Sequence, residues 1–138
     1  MDVAVSPITN PARLIAAPSA GSVVSEGGHI VSFAQPRGQW YWRVYSDKPT
    51  GGWLTAARPR NSAWAQEALS LPPGNNASMI QRVWVPEGWM LQRSRALKVR
   101  EWNRIHGGGE QFRLLPRPGN GPDRFLPDAN FEPGVPFK

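Results

Sequence analysis

Along the chain, apolar and polar residues alternate with the period of a β-strand in several short blocks, and turn residues separate them. Gln39-Trp40-Tyr41-Trp42-Arg43-Val44-Tyr45 carries the strongest such pattern. Its alternation sends Trp40, Trp42 and Val44 to one face and Tyr41, Arg43 and Tyr45 to the other. The three tryptophans Trp40, Trp42 and Trp84 are expected to pack in the core. Before this block, residues 28–33 read as a strand that Pro36 and Gly38 turn. After it, a turn over residues 47–52 leads to a short extended piece at Trp53-Leu54-Thr55, ended by Arg58-Pro59. A helix is predicted from about residue 63 to 70, with Asn61 or Ser62 as its N-cap and Trp64, Ala68 and Leu71 at helical spacing. Pro72, Pro73 and Gly74 stop it. Residues 78–85 and 90–96 form two further strands on either side of Pro86-Glu87-Gly88.

The last predicted strand follows three consecutive glycines. In His106-Gly107-Gly108-Gly109-Glu110-Gln111-Phe112-Arg113-Leu114-Leu115, the glycines mark a place where the backbone bends sharply or approaches something closely. Read as a strand, residues 109–115 put Glu110, Phe112 and Leu114 on one face and Gln111 and Arg113 on the other. Phe112 and Leu114 then seek the core, and Gln111 faces away from it. Beyond Pro116 the chain is too rich in proline for regular structure, although Phe125, Leu126, Phe131 and Phe137 can pin it to the body. Residues 1 to about 27, rich in Pro, Ser, Ala and Gly, read as an extended leader or linker. Residues 28–138 then form a single α+β domain.

Composition narrows the picture. A chain of 138 residues with 40% hydrophobic residues and seven tryptophans has enough apolar surface for one folded domain. The 15 prolines and 14 glycines favour short strands and many turns over a helical bundle. Cysteine is absent, so neither disulfides nor a thiol nucleophile contribute. With His29 and His106 as the two histidines, a histidine-rich metal site is not expected. No run approaches the roughly eighteen apolar residues of a transmembrane helix, so no membrane partner is expected. The formal net charge is +6, and most of the positive charge is arginine. That charge suits a polyanion such as nucleic acid, a dinucleotide pyrophosphate or an acidic protein partner, and by itself it leaves all three open.

Hydrolase elbows, Walker loops, dinucleotide fingerprints and zinc-protease helices are missing from the sequence. What remains is an order of short motifs. Tyr41-Trp42-Arg43-Val44-Tyr45 is followed by Gly51-Gly52-Trp53-Leu54-Thr55, then by the helix and the strand into Val83-Trp84-Val85, and last by Gly107-Gly108-Gly109-Glu110-Gln111. Over roughly residues 40–116 this order resembles the ADP-ribosyltransferase-like domains of bacterial polymorphic toxins. Within them it is most similar to the tuberculosis necrotizing toxin group of NAD glycohydrolases.

The resemblance implies two small, mostly antiparallel sheets around an NAD cleft, with one or two short helices. It implies NAD as substrate, cleaved between nicotinamide and ribose, with no permanently bound cofactor. Gln111 is the implied catalytic residue. A register slip after Gly109 would pass that role to Glu110. Arg43 is the implied clamp of the dinucleotide, with Tyr41, Tyr45 or Trp53 stacking on a ring, Thr55 holding nicotinamide, and Gly108 and Gly109 letting the backbone come close. Arg43, Thr55 and Gln111 are accordingly expected to line one cleft. A toxin of this kind is secreted or delivered by contact from a bacterium, acts in the target-cell cytosol and is silenced in its producer by an immunity protein, here expected to be acidic. Transfer of ADP-ribose to a protein or nucleic acid is the alternative activity, and a non-catalytic basic module binding RNA or an acidic protein is a further one.

Overall fold

The computed structural model describes residues 26–49, 53–104 and 106–138, with side chains from Ile30 onward. The expected leader lies outside the described residues except at its end, where the first strand begins. The fold is α+β. Strands β1 (Glu26–Ala34), β5 (Met90–Ala96), β6 (Glu110–Leu114) and β3 (Trp53–Leu54) form one sheet in the order β1-β5-β6-β3. Strands β2 (Gln39–Tyr45), β4 (Met79–Val85) and β7 (Val135–Pro136) form the other in the order β2-β4-β7. All their pairings are antiparallel. Helix α1 (Ser62–Ala68) and three 3-10 turns complete the described elements. No helix among the described residues is long and apolar enough to cross a membrane.

Among the described residues, one bridge joins the two sheets. Trp42 of β2 pairs with Thr55, just past β3, through reciprocal backbone hydrogen bonds of 2.9 Å. The chain also crosses between sheets at Pro86-Glu87-Gly88, because β4 and β5, its flanking strands, pair with different partners. Gly88 takes a positive φ of 83° there and donates to the Gln35 carbonyl, while Gln35 donates to that of Trp89. A turn with hairpin composition thus serves as a link between layers.

The main core lies where the inner faces meet. Tyr41, Val83 and Val85 of the β2-β4 sheet pack with Leu54, Leu91 and Phe112 of the other, and Trp89 closes the cluster. The Tyr41 and Phe112 rings meet edge to face at 5.2 Å, a geometry that the ring quadrupoles favour. A second cluster forms outside the β2-β4 sheet, where Ala65 and Leu69 of the helical segment cover Val44 and Ile80.

Two expectations are corrected by this arrangement. Of the three tryptophans expected in the core, Trp40 and Trp84 are 38% and 36% exposed and Trp42 only packs against the second cluster. The alternation holds with its sides exchanged, because Tyr41 carries the inner face and α1 is too short to cover the whole outer one. The tail beyond Pro116 does acquire regular structure. Val135 pairs with Ile80, and the adjacent Phe137 is buried in the second cluster. Pairing at a sheet edge tolerates proline, which lacks an N–H but needs none on its outer side.

Candidate functional site

Each part of the site region is placed by a local feature of the sequence. Asn61 caps α1, its side-chain oxygen accepting from the Trp64 N–H at 2.7 Å, and this fixes where the helix starts. Seven residues later the helix ends against the glycine loop. Gly107 N–H donates to the Glu67 carbonyl at 3.1 Å and Gly109 N–H to that of Ala68 at 2.8 Å, so the loop adds donors to the carbonyls of the last helical residues. The Glu67 carboxylate also accepts from the His106 N–H at 2.9 Å. From the other side, Gly108 donates to the Ala96 carbonyl at 2.7 Å, and Arg95 donates to the Gly108 carbonyl at 3.1 Å.

Gly107 and Gly109 are therefore needed for packing. A Cβ on Gly109 would lie 2.7 Å from the Ala68 carbonyl oxygen, and one on Gly107 would lie 2.8 Å from that of Ala96. Gly108, with φ of 83°, faces open space. Held in this way, the loop delivers Glu110 and Gln111 at the start of β6.

A cleft of about 320 Å³ opens beside this point. Thr55, Ala56, Ala57, Arg58, Arg60, Trp64 and Glu110 line it. Thr55 reaches across to β6, its hydroxyl donating to the Glu110 carbonyl at 3.4 Å. The Glu110 carboxylate lies 4.0 Å from Arg93, a loose and partly exposed pair. Arg58 stacks on the rings of Trp42 and Phe137, 5.4 and 5.2 Å from their centroids.

Of Arg43, Thr55 and Gln111, expected to share one cleft, Thr55 lines this one and Arg43 and Gln111 do not; Glu110, the alternative to Gln111, lines it instead. Arg43 follows Trp42 along β2 and so points to the opposite, inner face. It is 8% exposed, donates from Nε to Gln81 Oε1 at 2.7 Å and lies 4.3 Å above the Phe131 ring. Burial pulls its guanidinium below the usual arginine range, against the opposing influence of Tyr45 and Asp128. Gln111 alternates with the core residue Phe112 and faces away from the core. It is 5% exposed, and its amide donates to Ser94 Oγ at 3.1 Å.

Tyr45 is buried, and Gly134 of the tail sits where any Cβ would strike its hydroxyl. Trp53 lies beneath Arg113, at 5.7 Å. Tyr41, on the Arg43 side, donates its hydroxyl to Gln35 at 3.0 Å. Burial pushes the pKa of its hydroxyl above the usual tyrosine value, with the Gln35 hydrogen bond opposing and the Glu110 charge adding to the rise. His106 is exposed. No cluster of metal-ligating side chains occurs among the described residues.

Arg58, Arg60 and Trp64 are the charged and aromatic residues of the cleft to which the sequence pattern assigns no part in a site. The signal available was Arg58-Pro59-Arg60, two arginines held two residues apart around a proline of fixed φ.

No family profile matches the chain, and no curated protein matches it in sequence. Among solved structures, the fold is similar to that in the structure of Tne2 in complex with Tni2, with a TM-score of 0.59 over 82% of this chain and 96% of that one. Identity over the match is 16%, so what the two chains share is the fold.

Proposed function

We propose that this chain is the toxic domain of a secreted or contact-delivered bacterial protein and hydrolyses NAD at the nicotinamide–ribose bond in the cytosol of a target cell. One observation carries the reading. The glycine loop, docked on the end of α1, brings Glu110 to a cleft that also holds the Thr55 hydroxyl, two arginines and an indole, in a fold like that of Tne2.

The chemistry suits these groups. Departure of nicotinamide leaves an oxocarbenium-like ribose, which requires a clamped dinucleotide and a negative or polar group beside the developing charge. Glu110 supplies a carboxylate at the cleft wall, and that carboxylate can accept from ribose hydroxyls and stabilise the cation. Gln111, one position along β6 and tied to Ser94, is the second candidate for the ribose contact. Thr55, whose hydroxyl already reaches toward β6, would hold the nicotinamide amide. The partner in the producing cell would be an acidic immunity protein. Its counterpart in the structural comparison is Tni2, which is in complex with Tne2.

Nicotinamide release by the purified domain tests the activity. Intact NAD in the presence of folded protein would overturn it. Glu110→Ala is expected to lower turnover about 100-fold, the usual cost of removing one electrostatic stabiliser of a transition state, with folding unchanged. If Gln111→Ala alone does so, the catalytic role belongs to the amide. With labelled NAD in a cell lysate, label is expected to stay on small molecules. Label on a protein or nucleic acid would replace hydrolysis by ADP-ribose transfer.

A further inference from the structure

We propose that Arg58 and Arg60, together with Trp64, form a subsite for the diphosphate and an adjoining ring of a nucleoside diphosphate, and that Arg43 does not perform this task. The assignment to the NAD half-molecule rests on the function proposed above; the subsite itself rests on the geometry.

The arginines around the site are spent in different ways. Arg43 is buried, bonded to Gln81 and stacked on Phe131, so a phosphate could reach it only by breaking the inner face of the β2-β4 sheet. Arg95 is occupied by the Gly108 carbonyl and Arg104 by that of Leu71, at 3.1 and 3.0 Å. Arg82 forms two bonds of 2.8 Å with Glu132. Arg58 and Arg60, by contrast, line the cleft and pair with no carboxylate among the described residues.

Their presentation is also prearranged. Pro59 between them is fully buried and fixes the loop, and the arginines on either side of it line the same cleft. Arg58 is held in place by the rings of Trp42 and Phe137, and stacking leaves the in-plane N–H groups of a guanidinium open to an anion. Two uncompensated forks beside an indole match the alternation of charge and π-surface in a nucleoside diphosphate. A volume of about 320 Å³ is at the small end for ligand pockets, so the cleft takes part of a dinucleotide, with the remainder passing over Glu110.

Binding of ADP-ribose, measured by calorimetry on the full chain, tests the subsite. Arg60→Gln is expected to weaken binding about 10- to 100-fold, the range for losing charged hydrogen bonds. Arg58→Lys keeps the charge and loses the fork, and is expected to weaken it as well. Arg117→Gln, a change of the same charge at a residue stacked on Trp89 away from the cleft, should leave affinity unaltered. Equal weakening by Arg117→Gln would mean a response to net charge, and would overturn the proposal. So would unchanged affinity in Arg60→Gln and Arg58→Lys, or no binding by the unaltered protein at millimolar ligand. The two readings fail separately. Binding that depends on Arg60 without nicotinamide release from NAD removes the proposed activity and leaves the subsite. NAD cleavage with unchanged KM in Arg60→Gln and Arg58→Lys removes the subsite and leaves the activity.

Discussion

Three adjacent glycines do three different jobs in this loop. Gly107 combines a positive φ of 65° with a steric limit from the end of β5. Gly108 has a positive φ of 83° and open space, while Gly109 is limited by contact with the Ala68 carbonyl and the Leu69 side chain. Left-handed backbone costs a residue bearing Cβ about 1 to 2 kcal/mol, and a close contact with rigid backbone adds about 1 to 3 kcal/mol. Gly107→Ala is therefore expected to be the most destabilising of the three, and Gly108→Ala should cost about 1 to 2 kcal/mol from the φ term alone. Urea unfolding of the three variants checks the order. A Gly108→Ala variant as damaged as Gly107→Ala would show that the loop packs more tightly than these contacts indicate. The sequence announced a sharp bend or a close approach here, and both occur, but the approach is to the protein's own helix end. Sequence spacing cannot distinguish a carbonyl of the same chain from a ligand phosphate. Arg43 teaches the same lesson. Its alternation with Tyr41 and Tyr45 was legible, whereas burial beside Gln81 depended on a strand 38 residues away.

At the scale of elements, the sequence was most informative where local chemistry decides. Strand β2 spans Gln39–Tyr45 and β5 spans Met90–Ala96, as their patterns predict, and Asn61 caps the helix. Sheet membership and the outer face of β2-β4 were not legible, since both depend on which element covers which surface. The docking of α1 on the glycine loop is a long-range feature of this kind, and Glu67 lies at its centre. Its backbone carbonyl accepts from Gly107 and Ser70, and its carboxylate accepts from His106. Glu67 thus acts as a positioning residue, holding the loop that delivers Glu110. Glu67→Ala is expected to reduce kcat on NAD by about tenfold with KM nearly unchanged, because a slightly displaced carboxylate loses transition-state stabilisation first. Glu67→Gln keeps an acceptor oxygen in place and should restore most of the rate. Equal losses in the two variants, or a loss seen only as lower stability, would remove the positioning role.

For the whole molecule, charge is the property that outlasts any single contact. The net charge is +6, and Arg93, Arg95, Lys98 and Arg100 stand exposed along and just beyond β5, while the cleft adds Arg58 and Arg60. Among the described residues, Arg82 pairs with Glu132 and Arg93 makes a loose contact with Glu110. A field of one sign around a concave site draws an oppositely charged partner and raises the association rate more than it raises the final affinity. An acidic immunity protein that covers the cleft would use this field, and salt would weaken it over a Debye length of about 10 Å at 0.1 M. Raising NaCl from about 0.05 to 0.5 M is therefore expected to slow association with the cognate protein at least about tenfold, with a much smaller change in dissociation. ADP-ribose in excess should compete for the same surface, and Arg60→Glu should slow association further through local repulsion. Surface-plasmon kinetics on the domain and the product of its neighbouring open reading frame provide the test. Association that does not respond to salt, or a complex that still takes up ADP-ribose, would place the partner elsewhere on the molecule and remove the electrostatic account of inhibition.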